Sequence, residues 1–492
     1  MSLARVHTRA IVGVEAPPVA VEVDISGGLP SFNLVGLPET AVRESRDRVR
    51  AALLNAGFEF PQRRITVSLA PADLPKEGGR FDLPIALGVL AASSQLPAEG
   101  LDTCEFAGEL ALSGELRAVT GALPLVLAAT RSGRKAVVPR AVSAEASLVA
   151  SAEVRVADGL LDVVRWLRGL DDLEMASGWL PHDAQYPDLA DVSGQHHARR
   201  AVEIAAAGGH NLLFVGPPGS GKSMLASRLP GLLPRLDTET ALESAAVHSV
   251  SVGFDPTHWS RPPFRHPHHT VSGVALVGGG ALAQPGEASL AHGGVLFLDE
   301  LAEFPRAVLD VLREPLESGE IHVSRARRRA RYPARFQLVA AMNPCPCGYF
   351  GDSTRACRCT AEQVQRYQGR VSGPLLDRID LHVRVPAIPY ASLRQEKPGE
   401  STACVSHRVE AAQAVQRRRQ NRLNAHLAAN QMAEHCSLSK ECERFFETAV
   451  ERLGLSLRSC HRVLRVARTI ADLAGSDSIR REDLGESIGF RQ

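Results

Sequence analysis

The stretch Gly216-Pro217-Pro218-Gly219-Ser220-Gly221-Lys222-Ser223 fits the pattern G-x-x-x-x-G-K-S without a gap. Glycines at this spacing let successive backbone N–H groups curl around an anion, and a helix that follows turns its positive end toward the same point. The Lys222 ammonium would neutralise β- and γ-phosphate oxygens, and the Ser223 hydroxyl would ligate Mg2+. Taken alone, the motif also suits a tight strand–helix turn with a surface lysine. The flanks argue for the phosphate site. Leu212–Val215 reads as a buried strand before the loop, and apolar residues return at helical spacing after it.

Two further apolar runs end in polar groups. Val295–Leu298 ends in Asp299-Glu300, and the run Phe336–Met342 ends in Asn343. Strands this apolar belong in the middle of a parallel sheet, whose carboxyl edge is where ligands bind. There Asp299 would hold magnesium, directly or through water, and Glu300 would act as general base on the attacking water. Asn343 would orient that water, or else cap the turn before Pro344. Joined to the phosphate loop, the acidic pair implies hydrolysis of a nucleoside triphosphate rather than binding alone.

Cys345, Cys347, Cys357 and Cys359 form C-x-C, nine residues, C-x-C. Two tight turns carrying thiolates suit a closed structural zinc site, with free buried thiols as the alternative. Another cluster is basic. Residues 319–336 read as a hairpin that pairs "EIHVS" (320–324) with "RYPARF" (331–336), with Arg325, Arg327, Arg328 and Arg329 at its tip and Arg331 close behind. Such charge density calls for anions, and arginines there suit phosphate contacts that do not read sequence. A solvated surface turn is the plainer alternative. A third run, Arg417-Arg418-Arg419, falls on an expected helix as an exposed face.

The elements that must position these groups are those of a soluble α/β protein. The 492 residues are 44% hydrophobic and 23% charged, with net charge +1, so a nucleic-acid surface must be a local patch. Neither a leader pattern nor a membrane-length apolar run is evident, which points to the cytoplasm. Nine cysteines in so long a chain do not make a disulfide framework. Residues 1–170 alternate strand and helix patterns as a first α/β domain, including a hairpin across 104–119 turning at Ser113-Gly114. A polar, proline-bearing linker is expected at 171–188, a second α/β domain at 189–395, and a helical domain at 396–492 after a loop at 394–403.

Several segments together resemble the magnesium-chelatase-like branch of AAA+ ATPases, and specifically the ComM (YifB-like) competence family. They include "FNLVGLPETAVRESRDRVRAAL", "GGHNLLFVGPPGSGKSMLA", "RPPFRHPHHTVS", "GGGALAQPGEASLAHGGVLFLDELAEF", "AAMNPCPCGYFGD" and "SGPLLDRIDLH". The resemblance implies an AAA+ domain with a parallel sheet, a helical lid, and a homo-oligomeric ring, expected to be a hexamer. It also implies ATP and Mg2+ as cofactors, and DNA as the partner, moved by branch migration during natural transformation. By the same resemblance Arg378 in "LLDRID" matches an arginine finger serving the neighbouring subunit, with a surface ion pair as the alternative. Arg458 in "LSLRSCHRVL" resembles the second sensor, a role Arg462 could also fill. His266, His268 and His269 lie in a segment resembling the branch's inserted loop, which is expected to pack along a ring's bore rather than bind metal.

The first domain is similar to the proteolytic domain of Lon. Matching by position puts Arg80 where the serine nucleophile would stand and Leu123 where the activating lysine would be. A Lon-type dyad is therefore absent. A chelatase-type motor acting on a protein partner and a nucleotide-gated scaffold are the competing expectations.

Overall fold

The structure, a computed structural model, describes residues 3–36, 40–178, 186–280, 282–325, 328–352, 355–388 and 399–491. Its amino-terminal part is built on an eight-stranded mixed sheet. From one edge the order is Glu174–Met175, Val154–Ala157, Lys135–Pro139, Cys104–Phe106, Leu3–Arg9, Pro18–Ser26, Arg64–Ala70 and Ser31–Val35. Val19, Val21, Val23 and Ile25 point inward along Pro18–Ser26, the period-two pattern of a strand covered on one face. Helix Asp82–Ala92 packs on that face, with residues 82–90 all buried. The hairpin expected across 104–119 is confined to Glu109–Arg117, turning through Gly114 at φ +93°. Cys104–Phe106 instead enters the large sheet, because all three of its residues are buried between Leu3–Arg9 and Lys135–Pro139. Glu174–Met175 adds an antiparallel edge strand within the expected 171–188 linker, of which 179–185 lie outside the described residues.

The second sheet is wholly parallel and has five strands. Their order is Phe264–Arg265, Val295–Leu298, Gln337–Met342, Leu212–Val215 and Leu381–Arg384. Every residue of Gln337–Met342 is buried, as required of a strand covered on both faces. Helix His196–Gly208 and helices of the carboxyl-terminal part cover one face, whose core includes Phe214, Phe297, Val383 and Phe490. Leu213, Leu296, Leu298 and Leu338 form the core of the other face with residues of the basic hairpin.

Of the carboxyl-terminal helices, Thr402–Gln420 and Leu457–Leu473 share their core with the parallel sheet: Val405, Val409, Val466 and Ile470 pack with Leu212 and Leu381. Lys440–Leu453 and Arg481–Gly489 pack with Leu457–Leu473 in a core of their own, through Cys442, Phe446, Val463, Leu484 and Ile488. Residues 394–398 of the expected loop at 394–403, and with them the 395/396 boundary, lie outside the described residues. Asp188 ties the two parts across this gap, its carboxylate accepting from the Thr402 backbone N–H at 2.7 Å. Arg419 does not belong to an exposed basic face. It pairs with the buried Asp472 at 2.7 Å, while Arg417 and Arg418 are exposed.

A candidate nucleotide site at one sheet edge

The phosphate loop leaves the strand Leu212–Val215 at the carboxyl edge of the parallel sheet. Gly216 must be glycine, because a Cβ there would stand 2.1 Å from the Val385 carbonyl oxygen. Gly219 and Gly221 have φ of +76° and +92°, the left-handed backbone that curls the loop. The helix beyond is short, Lys222–Ala226, and gives way to a 3-10 turn at Leu229–Leu232 where Pro230 has no N–H to donate. Gln195 braces the loop from outside, its side-chain amide donating to the carbonyls of Ser220 at 3.2 Å and Pro386 at 2.7 Å.

The adjacent strands deliver their polar ends to the same edge. The Lys222 ammonium donates to the carbonyls of Gly216 at 2.7 Å and Pro217 at 2.9 Å, and to Asn343 Oδ1 at 3.2 Å. Burial pulls the Lys222 pKa down, and the Asp299 and Glu300 carboxylates oppose that pull. The Ser223 hydroxyl donates to Asp299 Oδ2 at 2.5 Å, so the oxygen donors expected for Mg2+ already converge. Buried Ser220 Oγ has no hydrogen-bond partner among the described residues, an orphan that an anion's surroundings would satisfy. The residues present therefore fit a Mg2+–nucleotide group.

Glu300 stands at φ +54°, a left-handed conformation costly for a non-glycine side chain. Its carboxylate faces His269 Nδ1 at 3.1 Å. The histidine loop lies along the acidic strand, with the His266 ring 4.7 Å from that of Phe297 and the His268 ring 4.1 Å from that of His269. The expected path along a bore did not anticipate the His269–Glu300 pair. Only the "HPHH" cluster itself signalled it.

Arg378 sits at the opposite, amino edge, just before the strand Leu381–Arg384. Its guanidinium donates to Glu317 at 2.5 Å and to the Pro374 carbonyl at 2.6 Å, and its side chain is 13% exposed. Arg378, Arg458 and Arg462 line one cavity of about 740 Å³ at this edge, so Arg458 is not brought to its own chain's phosphate loop. Arg458 is exposed, whereas Arg462 pairs at 2.8 Å with Asp380, so its guanidinium is already engaged. Burial alone would push the Asp380 carboxyl up, but His210, Arg462 and the Asn211 N–H outweigh it and hold the group well below the usual carboxylate range.

The basic hairpin exists as strands Glu320–Arg325 and Arg328–Pro333, with Arg325 opposite Arg328 and Ser324 opposite Arg329. Ile321, Val323, Ala330 and Tyr332 turn inward to the core, which leaves Arg329 and Arg331 on the outer face with His322 and Ser324. Arg331 pairs with Glu320. Arg327 lies outside the described residues. The hairpin leads directly into the strand that ends in Asn343, and Tyr332 donates to the Ala283 carbonyl at 2.8 Å.

The four cysteines converge beyond Asn343. Cys345 Sγ lies 3.4 Å from Cys347 Sγ and 3.7 Å from Cys357 Sγ, and all four sulfurs lie within 4.8 Å of one another. Donation from the Arg358 and Tyr349 backbone N–H groups pulls the Cys347 thiol down to about 6.

At the positions matching the Lon dyad, Leu123 is fully buried and Arg80 is buried, its pKa drawn down to about 10 by that burial. Neither is a nucleophile or a base for peptide hydrolysis. Among the described residues no helix is long and apolar enough to cross a membrane.

Comparison with known proteins covers nearly the whole chain. Residues 188–393 match the family model "Magnesium chelatase, subunit ChlI". Residues 21–142 match "Subunit ChlI of Mg-chelatase", and 399–491 match "Magnesium chelatase, subunit ChlI C-terminal". The chain is 52% identical to YifB of Salmonella typhimurium over 497 residues, covering 100% of this chain and 97% of that one. It is 51% identical to the competence protein ComM of Haemophilus influenzae over 499 residues, covering 100% and 98%. A shorter likeness, 30% over 171 residues, joins 31% of the chain to 51% of the magnesium-chelatase 38 kDa subunit of Cereibacter sphaeroides.

Proposed function

Because the chain belongs to the ComM/YifB family of magnesium-chelatase-like AAA+ proteins, we propose that it is a ring-forming ATPase that drives branch migration of DNA during natural transformation. The observation that carries this reading is the division of labour across one sheet. Lys222, Ser223, Asp299, Glu300 and Asn343 gather at the carboxyl edge, and Arg378 with Arg458 at the amino edge. A head-to-tail neighbour would join the two edges into one complete site.

In that cycle, Lys222 leaves the loop carbonyls to neutralise phosphate oxygens, and the loop N–H groups of Gly216–Ser223 hold the β-phosphate. Ser223 and Asp299 would hold Mg2+, which when bound supplies charge neutralisation on the phosphates. Glu300 accepts the proton of the attacking water, held in place until then by His269. Asn343, released from Lys222, orients that water. Arg378 exchanges Glu317 for the neighbour's γ-phosphate, where a planar guanidinium stabilises charge spread over the transferring oxygens. Arg458 reports the nucleotide state from the same edge, and it acts across the interface rather than within its own chain.

The hairpin arginines Arg325, Arg327, Arg328, Arg329 and Arg331 grip DNA phosphates without reading sequence. Displacement of the Asn343 strand on hydrolysis moves the hairpin joined to it. The name of the Haemophilus influenzae relative supports a competence role. The test is ATP turnover with and without forked or four-way DNA at two salt concentrations, with the assembled mass read by light scattering. DNA should stimulate turnover and promote a ring, most simply a hexamer. The magnesium-chelatase likeness favours one alternative, a motor acting on a protein partner, and turnover and assembly indifferent to DNA would select it.

A further inference from the structure

The thiol cluster takes no part in the hydrolytic steps, yet it abuts the phosphate loop. We propose that Cys345, Cys347, Cys357 and Cys359 bind a structural zinc ion that clamps the 345–348 backbone against the phosphate loop, so that zinc occupancy sets nucleotide affinity. The second half rests on reading Gly216–Ser223 as the nucleotide site.

The metal half follows from geometry and donor type. Four sulfurs about 2.3 Å from a tetrahedral zinc stand about 3.8 Å from one another. The contacts found are 3.4, 3.7 and 3.6 Å among Cys345, Cys347 and Cys357, and the whole set fits within 4.8 Å. That set is compact enough for a single ion. Four thiolates favour zinc over magnesium or calcium, which prefer oxygen. No disulfide links any of these cysteines.

The coupling half follows from where the site lies. Cys345 is fully buried, two residues beyond Asn343. Gly348, one residue past Cys347, has φ +86°, and a Cβ added there would meet Pro218 Cδ at 2.5 Å. The backbone of the cysteine turn thus rests directly on the Pro218 ring of the phosphate loop. Phe350, two residues on, is exposed, so the turn has little apolar packing of its own to hold that contact. Gln368 adds one tie, donating to the Pro344 carbonyl at 3.0 Å. An ion joining the two C-x-C arms would fix the rest.

The test uses the full chain, purified without chelator or polyhistidine tag. Zinc is measured by inductively coupled plasma mass spectrometry and released with a mercurial reagent; a fluorescent ADP derivative reports nucleotide affinity throughout. Near-stoichiometric zinc is expected, with affinity falling about tenfold on release while the far-ultraviolet circular dichroism holds. Cys357→Ser should lose both zinc and affinity. Should that variant fail to fold, Gly348→Ala keeps all four thiols and should retain zinc while binding nucleotide about tenfold more weakly. Protein without zinc, or carrying iron, overturns the metal assignment. Equal nucleotide affinity with and without zinc, or in Gly348→Ala, overturns the coupling. Zinc-loaded protein that binds no nucleotide at all would sink the nucleotide-site reading and leave the metal assignment standing.

Discussion

At the residue scale, the proposed chemistry rests on groups that hold one another in the structure, Lys222 on Asn343, Ser223 on Asp299 and Glu300 facing His269. Glu300 is the proposed base, so Glu300→Gln should lower kcat about a thousandfold while nucleotide affinity stays within about twofold, measured by turnover and by fluorescent nucleotide titration. Asp380 carries a different prediction. Its folded pKa lies below the ordinary value, so the stability it contributes is present above about pH 4 and is lost as pH falls toward the folded value. Asp380→Asn should therefore be destabilised by about 3 kcal/mol at neutral pH, since Arg462 and His210 would lose a buried partner. Thermal melts at descending pH should show that deficit shrinking below about pH 4.

At the element scale, the hairpin is the part whose role is easiest to isolate. Arg327→Ala with Arg328→Ala should weaken DNA binding at every sequence and reduce the slope of log K against log salt by about two. A slope unchanged in fluorescence anisotropy titrations would remove these arginines from the DNA contact. That 319–336 form a hairpin was legible in the sequence, but its second strand is Arg328–Pro333 rather than 331–336, because burial of Ala330 and Tyr332 opposite Ile321 and Val323 sets the register. The three nucleotide strands were legible as unbroken apolar runs capped by polar ends. The extent of the first hairpin was not, because only Ala107-Gly108 stands between Cys104–Phe106 and Glu109–Leu110, and tertiary pairing alone separates them. The His269–Glu300 and Arg378–Glu317 pairs were equally hidden, being contacts between residues 31 and 61 positions apart whose meeting depends on the folded sheet. The position of Arg458 follows from the helix Leu457–Leu473 sharing a core with the sheet and from Arg462, one turn on, pairing with Asp380, a packing no local pattern encodes.

At the scale of the whole molecule, the proposed site, split between two edges of one sheet, would leave a lone protomer incomplete. Arg378→Ala and Lys222→Ala should each abolish turnover alone. Mixed before assembly, they should recover activity, because roughly a quarter of random interfaces would pair an intact loop with an intact arginine. Absence of recovery in such mixtures would place the arginine's action within its own chain. The tether between Arg378 and Glu317 has a consequence for chains that have not found a neighbour. On the proposed reading a solitary protomer keeps its finger arginine folded onto its own Glu317, and so would idle. Fuel consumption would thereby be confined to assembled machines, and a Glu317→Ala chain would be expected to strike neighbours more readily and at lower protein concentration.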